Sequence, residues 1–430
     1  MIYAVLLDFR WPTILRVKTK CREDLASASF LEKVGRAHLA DACHLLGKLL
    51  TAPFSDTYSE ALMKLVSRCE ANLDGLRIAG SEAIKIGQAA IEDDGERASV
   101  VALLLAETES NQPRASEQAV AMLCPESPEI RQSAWWGLRL ASCRHVEPHL
   151  RALLGKPKWD FASAAALDIL AFHRLAVQVE IGGLPDEEGD EIAWLLAEAG
   201  GRMRGAWNAT HLEQFLGHAS PRVREAALRA SARCGLPELP AFCREATLKS
   251  APLEAIEFLG VVGSPEDLPR LQRTAQSSAD PATAKAALNG LGRLGLPAAV
   301  PFLLEFLSHP ELADCAAAAI ERISGQPVPR GAPPEPPPGL TEDELDLWEP
   351  KPPVDAPRAR DWWKANAARF SPAKRYQAGL SVSGAPLGPV FDQLPLAIRY
   401  DSYLRERALT PGTPDWELET WTWKQRNPAT

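Results

Sequence analysis

The chain has 430 residues, room for two or three compact domains or one elongated array. Hydrophobic residues make up 46% and charged residues 24%, the balance of a soluble globular protein, and no apolar run approaches the ~18–20 residues a membrane span needs. The 47 basic and 56 acidic residues leave a formal charge of −9, which disfavours nucleic acid and anionic lipid as partners and suits a basic one.

The apolar start Met1–Leu7 has no basic residues before it and is cut short at Asp8, so no secretory signal is expected. Residues 1–34 are set aside as an N-terminal segment without a fold assignment. The eight cysteines form no Cys-x-x-Cys pair and read as reduced core thiols of a cytoplasmic protein. The first acidic turn is Glu92-Asp93-Asp94, with Glu96 close behind. Trp135 and Trp136 are adjacent on a helix and cannot share one face, so one of them is expected to be partly exposed.

From Ala134 onward one nine-residue segment recurs, starting at Ala134, Ala166, Ile192, Ala227, Ala255, Ala287 and Ala319. The spacings are 32, 26, 35, 28, 32 and 32 residues. Prolines precede most copies (Pro128, Pro157, Pro185, Pro221, Pro281, Pro310), pre-organised for a first helical turn. Glycines follow several (Gly235, Gly263, Gly295, Gly325), suiting a left-handed helix end. A second apolar stretch follows, such as Val300–Leu307. Each unit therefore reads as helix, turn, helix. One pair cannot bury both apolar faces, whereas a stack of seven builds a continuous core. Alanines such as Ala226, Ala227, Ala230, Ala286, Ala287 and Ala316–Ala319 would permit close helix approach. The predicted fold is all-α, a repeat solenoid over 35–325.

Several constellations along the array carry chemistry elsewhere. Cys143, His145 and His149 have metal-like spacing, but Pro148 interrupts a shared helix, so no metal is assigned. The second acidic turn is Asp186-Glu187-Glu188 with Asp190 and Glu191. The two turns are mostly expected to be solvated; if they have a role, it is to steer a basic partner, and the candidate partner-binding residues are Glu92, Asp93, Asp94, Asp186, Glu187, Glu188, Asp190 and Glu191. Cys234 and Cys243 lack a neighbouring base in sequence and read as small buried hydrophobes. Gly290-Leu-Gly292-Arg-Leu-Gly295 has dinucleotide-binding spacing, but it ends a helix with no strand before it, so no cofactor is assigned.

Half of the 36 prolines and six of the 12 tryptophans lie beyond Ile323. Residues 326–357 read as a Pro-rich acidic linker favouring extended polyproline II structure. Residues 358–430 read as an aromatic segment with helices over 358–369 and 394–409, folded back on the array as a cap. Ser383, in Ser-Val-Ser-Gly, lacks the strand–turn–helix pattern of a nucleophile.

Pro221-Arg-Val-Arg-Glu-Ala-Ala-Leu-Arg-Ala-Ser-Ala-Arg-Cys-Gly235 resembles the short HEAT-like repeat, also found in phycobilin lyases. Over roughly 35–427 the chain resembles a proteobacterial HEAT-like-repeat family with the same body and tail. The stretches that carry this resemblance are Leu73–Gly80, the repeats, Trp362–Tyr376 and Glu419–Arg426; the first 30 residues depart from it. Members of that family are often encoded beside type VI secretion spike and effector genes. The resemblance implies a non-catalytic immunity protein that binds and neutralises a cognate toxin, a nuclease being one candidate. The alternative it leaves is an adaptor that loads an effector on the spike, with a lyase-like enzyme behind both. No cofactor, nucleic acid, membrane or small-molecule ligand is expected.

Overall fold

The computed structural model describes residues 28–107, 114–155, 158–175, 177–178, 181, 189–203, 205–339, 341, 351–383, 388–410, 413 and 416–420. Three helices open it: α1 (Ala28–Thr51), α2 (Ser59–Ala79) and α3 (Ser81–Ile91). The array follows as α4 (Ala98–Glu107), α5 (Ala115–Ala121), α6 (Pro128–Leu140), α7 (Glu147–Leu153), α8 (Phe161–Phe172), α9 (Asp190–Arg202) and α10 (Ala209–Leu216). It continues with α11 (Pro221–Cys234), α12 (Leu239–Lys249), α13 (Leu253–Val262), α14 (Leu268–Ser277), α15 (Pro281–Leu294), α16 (Val300–Phe306) and α17 (Ala313–Ser324). Beyond the array lie α18 (Ala356–Asn366), the hairpin β1 (Tyr376–Gln377) and β2 (Leu380–Ser381), α19 (Gly388–Phe391) and α20 (Leu396–Leu409). Among the described residues that antiparallel hairpin, with Tyr376 opposite Ser381, is the whole of the sheet structure. The protein is an all-α solenoid.

The seven recurring segments fall on α6, α8, α9, α11, α13, α15 and α17, one inner helix per unit. Consecutive inner helices pack on one another, and α10, α12, α14 and α16 each back the inner helix that follows or precedes it. Pro128, Pro221 and Pro281 open α6, α11 and α15, where a missing N–H leaves no hydrogen bond unmade. Gly235, Gly295 and Gly325 close α11, α15 and α17 in the left-handed conformation, with φ of 66°, 73° and 68°. Gly263 departs from this expectation. Its φ is −70°, and its N–H caps the Leu259 carbonyl from extended backbone.

Small residues set the distance between inner helices. A Cβ on Gly137 would stand 2.0 Å from the Ser99 carbonyl oxygen of α4, and one on Gly260 would stand 2.1 Å from the Gly290 carbonyl oxygen of α15. Gly292 faces the Cα of Ala319 at 2.8 Å from such a Cβ. The glycines of the Gly-x-Gly-x-x-Gly stretch are therefore helix-packing and helix-ending residues. Ala226, Ala227, Ala286, Ala287, Ala316 and Ala317 are buried at the same contacts, while Ala318 faces solvent. Every residue of α8 is buried, as expected for a helix apolar on all sides between α6 and α9.

The Trp135–Trp136 pair corrects the sequence reading, since each side chain is only 3% exposed. Helix α6 is covered on two sides, by α4 and by the groups on its concave face. Trp136 donates its indole N–H to the Leu46 carbonyl of α1, and Trp135 donates to Asp168 of α8. The proline-rich stretch also doubles back where its ends are seen. Gly331 N–H donates to the Pro353 carbonyl and Asp355 N–H to the Pro329 carbonyl.

Candidate functional site

The inner helices place charged residues on the concave face, inside otherwise apolar sequence. Arg139 lies on α6, Asp168 on α8, Glu198 and Arg202 on α9, and Arg229 and Arg233 on α11. Two carboxylates from the far end of the chain, Glu417 and Glu419, complete this layer. Arg202 donates to Glu417 at 2.9 Å, to Asp168 at 3.0 Å and to Glu198 at 3.0 Å. Arg139 donates to Glu419 at 3.1 Å, and Arg233 to Glu417 at 3.1 Å. Arg229 donates to Glu198 at 2.8 Å, and the Tyr400 hydroxyl donates to Glu419 at 3.0 Å. Four guanidiniums meet four carboxylates in a nearly dry setting, where an unmatched charge would be severely penalised.

The balance differs from one carboxyl to the next. Burial pushes Glu198 upward, but Arg229 and Arg202 outweigh it and hold the carboxyl at about 2. Burial likewise raises Glu417, and Arg233 and Arg202 overcome it, leaving this carboxyl well below the ordinary range. At Asp168 burial prevails over Arg139 and Arg202, and the carboxyl lies above its ordinary value.

The rest of the C-terminal segment follows the carboxyl ends of the inner helices, where backbone carbonyls lack intrahelical donors. Arg407 donates to the Arg233 carbonyl at the end of α11 at 3.0 Å. Arg405 serves the end of α13, donating to Val261 and Gly263 carbonyls at 2.7 and 2.8 Å. Arg375 and Gln377 both donate to the Arg293 carbonyl of α15 at 2.8 Å. The hairpin backbone reaches α17, with Gly379 N–H donating to the Ile323 carbonyl at 3.1 Å. Cations at helix C-termini also complement the helix dipole. Asp401 of α20 bridges Arg322 at 2.6 Å and Arg293 at 3.6 Å. Trp416 stacks on Tyr403 at 6.1 Å, and Trp363 stacks on Phe370 at 5.4 Å. Trp421 and Trp423 lie outside the described residues.

Between this charged layer, the end of α1 and α20, the concave face keeps a cavity of about 810 Å³. Its aromatic walls include Phe54, Trp135, Trp194, Phe258 and Tyr400. Eight acidic residues and five arginines line it, with no lysine or histidine among them. Guanidiniums rest on its rings: Arg222 lies 3.6 Å from the Trp194 ring centre, Arg139 4.8 Å from Trp135, and Arg229 5.6 Å from Phe54.

Of the acidic residues singled out in sequence, Asp186, Glu187 and Glu188 lie outside the described residues. Asp190 is exposed at the start of α9, 3.9 Å from His218. Glu191 accepts from Arg131 at 2.9 Å and from Gln132, and it lines the cavity. Glu92 and Asp93 face solvent after α3, and neither lines the cavity. Asp94 accepts from the Glu96 N–H at 3.1 Å and pairs with Arg97 at 3.0 Å, a local capping role. It is Glu96 from that turn that reaches the cavity, so the two acidic turns are represented there by Glu96 and Glu191.

Sequence reasoning missed Arg139, Arg202, Arg233, Glu417 and Glu419. For the array the signal was a charge embedded in apolar helix, as at Arg139 and Asp168, which is tolerated only with a buried partner; Glu417 and Glu419 lie outside the helices and carry no such signal. Elsewhere the chemistry is plain. His145 precedes α7 and Pro148 sits in its first turn, so His145 and His149 do not share a helix face. Burial pushes the Cys143 thiol up to about 12. The Cys234 thiol donates weakly to the Gly200 carbonyl at 3.7 Å, and Ser383 accepts from the Arg375 N–H at 2.6 Å. Among the described residues no group of three or more His, Cys, Asp or Glu could hold a metal ion. No helix is long and apolar enough to cross a membrane among those residues.

Residues 236–324, spanning α12 to α17, match the family model for HEAT repeats. No curated protein matches the chain. HEAT repeats stack helix pairs into curved arrays, and residues 236–324 carry that repeat within the all-α solenoid described above.

Proposed function

We propose that the protein is a non-catalytic, protein-binding solenoid whose partner is a basic protein, and that it acts as a type VI secretion immunity protein. The observation that carries the binding reading is the concave cavity, with aromatic walls and eight acidic residues against five arginines. Aromatic side chains flanked by charge are the usual anchors of protein interfaces. The formal charge of −9 favours capture of a basic toxin and disfavours DNA for the same reason. The immunity role draws on the resemblance carried by Leu73–Gly80, the repeats, Trp362–Tyr376 and Glu419–Arg426. Its cognate would be the effector encoded beside it.

Co-expression with that effector tests the reading. Growth rescue with 1:1 co-elution is the expected outcome. Co-elution without rescue would make the protein an effector-loading adaptor. Neither, with the effector confirmed as toxic, would reject the type VI assignment.

A further inference from the structure

The cavity already demonstrates how it holds guanidinium groups. Arg229 lies over Phe54 while donating to Glu198 at 2.8 Å, and Arg139 lies over Trp135 and Trp136 while donating to Glu419 at 3.1 Å. Both use the same device, a ring beneath the planar cation and a carboxylate at its edge. The device suits arginine better than lysine, because the guanidinium is flat, weakly hydrated and carries five donors in a fixed fork. The cavity still has carboxylates to spare. Among the described residues no cation forms an ion pair with Glu96, and Glu225 is 57% exposed and ion-paired with Arg229 at 3.4 Å. The volume of about 810 Å³ lies in the range of ~300–1,000 Å³ typical of ligand sites.

We infer that this cavity is the receptor for an extended, arginine-bearing segment of a partner protein. The inference rests on the proposed binding of a basic protein and names the place and the chemistry of that binding. Arginine side chains of the segment enter between the aromatic walls, and Glu96, Glu191 and Glu225 accept their N–H donors at the rim. The chain's own Glu417 and Glu419 already pair with Arg139, Arg202 and Arg233, so that arginine layer is closed to an acidic peptide.

The test titrates the full-length protein with hexa-arginine, hexa-lysine and hexa-glutamate. Tryptophan emission provides the signal, since Trp135, Trp136 and Trp194 line the cavity. Saturable hexa-arginine binding is expected, tighter than hexa-lysine and weakened by salt. The doubly substituted Glu96→Gln, Glu225→Gln protein should bind hexa-arginine about tenfold more weakly or worse, since both acceptors lose the charge that strengthens their hydrogen bonds to a guanidinium. Both side chains lie outside the buried charged layer, and an unchanged melting curve would show that the fold is kept. Hexa-glutamate binding as tight as hexa-arginine, no hexa-arginine binding, or binding indifferent to the double substitution would each overturn the inference. If the co-expressed effector still elutes with a doubly substituted chain, the cavity is not its receptor and the scaffold reading survives alone. If hexa-arginine binds the cavity but no effector elutes, the receptor chemistry stands and the assigned partner falls.

Discussion

Glu417 shows most directly what individual residues contribute. It is 9% exposed and accepts from Arg202 at 2.9 Å and Arg233 at 3.1 Å. Neutralising it leaves two buried guanidiniums short of a partner, a change that costs about 3–5 kcal/mol in buried pairs. Glu417→Gln should therefore unfold at much lower urea than the parent chain at pH 7. The pH dependence has a definite sign. Glu198 and Glu417 lie below their ordinary 4.5 in the folded chain, so the unfolded chain takes up their protons first. Their contribution is complete above that value and fades as pH falls toward about 2, the folded value of Glu198. Asp168 acts oppositely, because its carboxyl is raised above its ordinary 3.8. Two depressed glutamates against one raised aspartate predict a net loss on acidification. Urea midpoints measured from pH 7 to pH 3 should fall for the parent chain and fall less steeply below pH 4.5 for Glu417→Gln. Parallel curves would show that Glu417 does not carry the ionised pairing described here.

At the scale of elements, α20 and the hairpin work as a strip of caps for α11, α13, α15 and α17. Arg405→Ala removes the donors to the Val261 and Gly263 carbonyls, with an expected cost of about 1–3 kcal/mol. Hydrogen–deuterium exchange should then quicken in α13 and α20 together, because each end of the contact loses its partner. Faster exchange in α20 alone would mean that the array does not depend on the strip. The inner helices were legible in sequence because their determinants are local: a proline at entry, a glycine at exit, and small residues where neighbouring helices touch. The seven segments landed on seven inner helices for that reason. Gly263 departed because its N–H caps Leu259 from extended backbone, a choice set by the following Ser264–Asp267 turn rather than by the glycine. Trp135 and Trp136 were misjudged because helix period alone cannot show that a second layer covers the other face. The pairing within the charged layer was beyond local reading. Arg139 and Glu419 are 280 positions apart, and no periodicity connects a repeat residue to its partner in the C-terminal segment.

The whole molecule is an array that has filled part of its own concave face. The C-terminal segment neutralises the arginines of α6, α9 and α11, caps the next inner helices, and leaves one cavity between itself and α1. The cavity is a bounded site rather than an open trough, lined by aromatic rings and by eight acidic residues against five arginines. On the proposed reading, general charge would draw a basic protein close, while only a side chain that fits between rings and carboxylates would be held. Neither the acidic turn at Glu92–Asp94 nor the outer helices need take part. Exchange protection measured on the full-length protein saturated with hexa-arginine tests the claim most directly. Protection is expected at the cavity-facing parts of α9, α11 and α13, around Glu191–Trp194, Arg222–Arg229 and Glu254–Phe258. Protection confined to the outer helices α10, α12, α14 and α16, with the cavity exchanging as in the free protein, would contradict it.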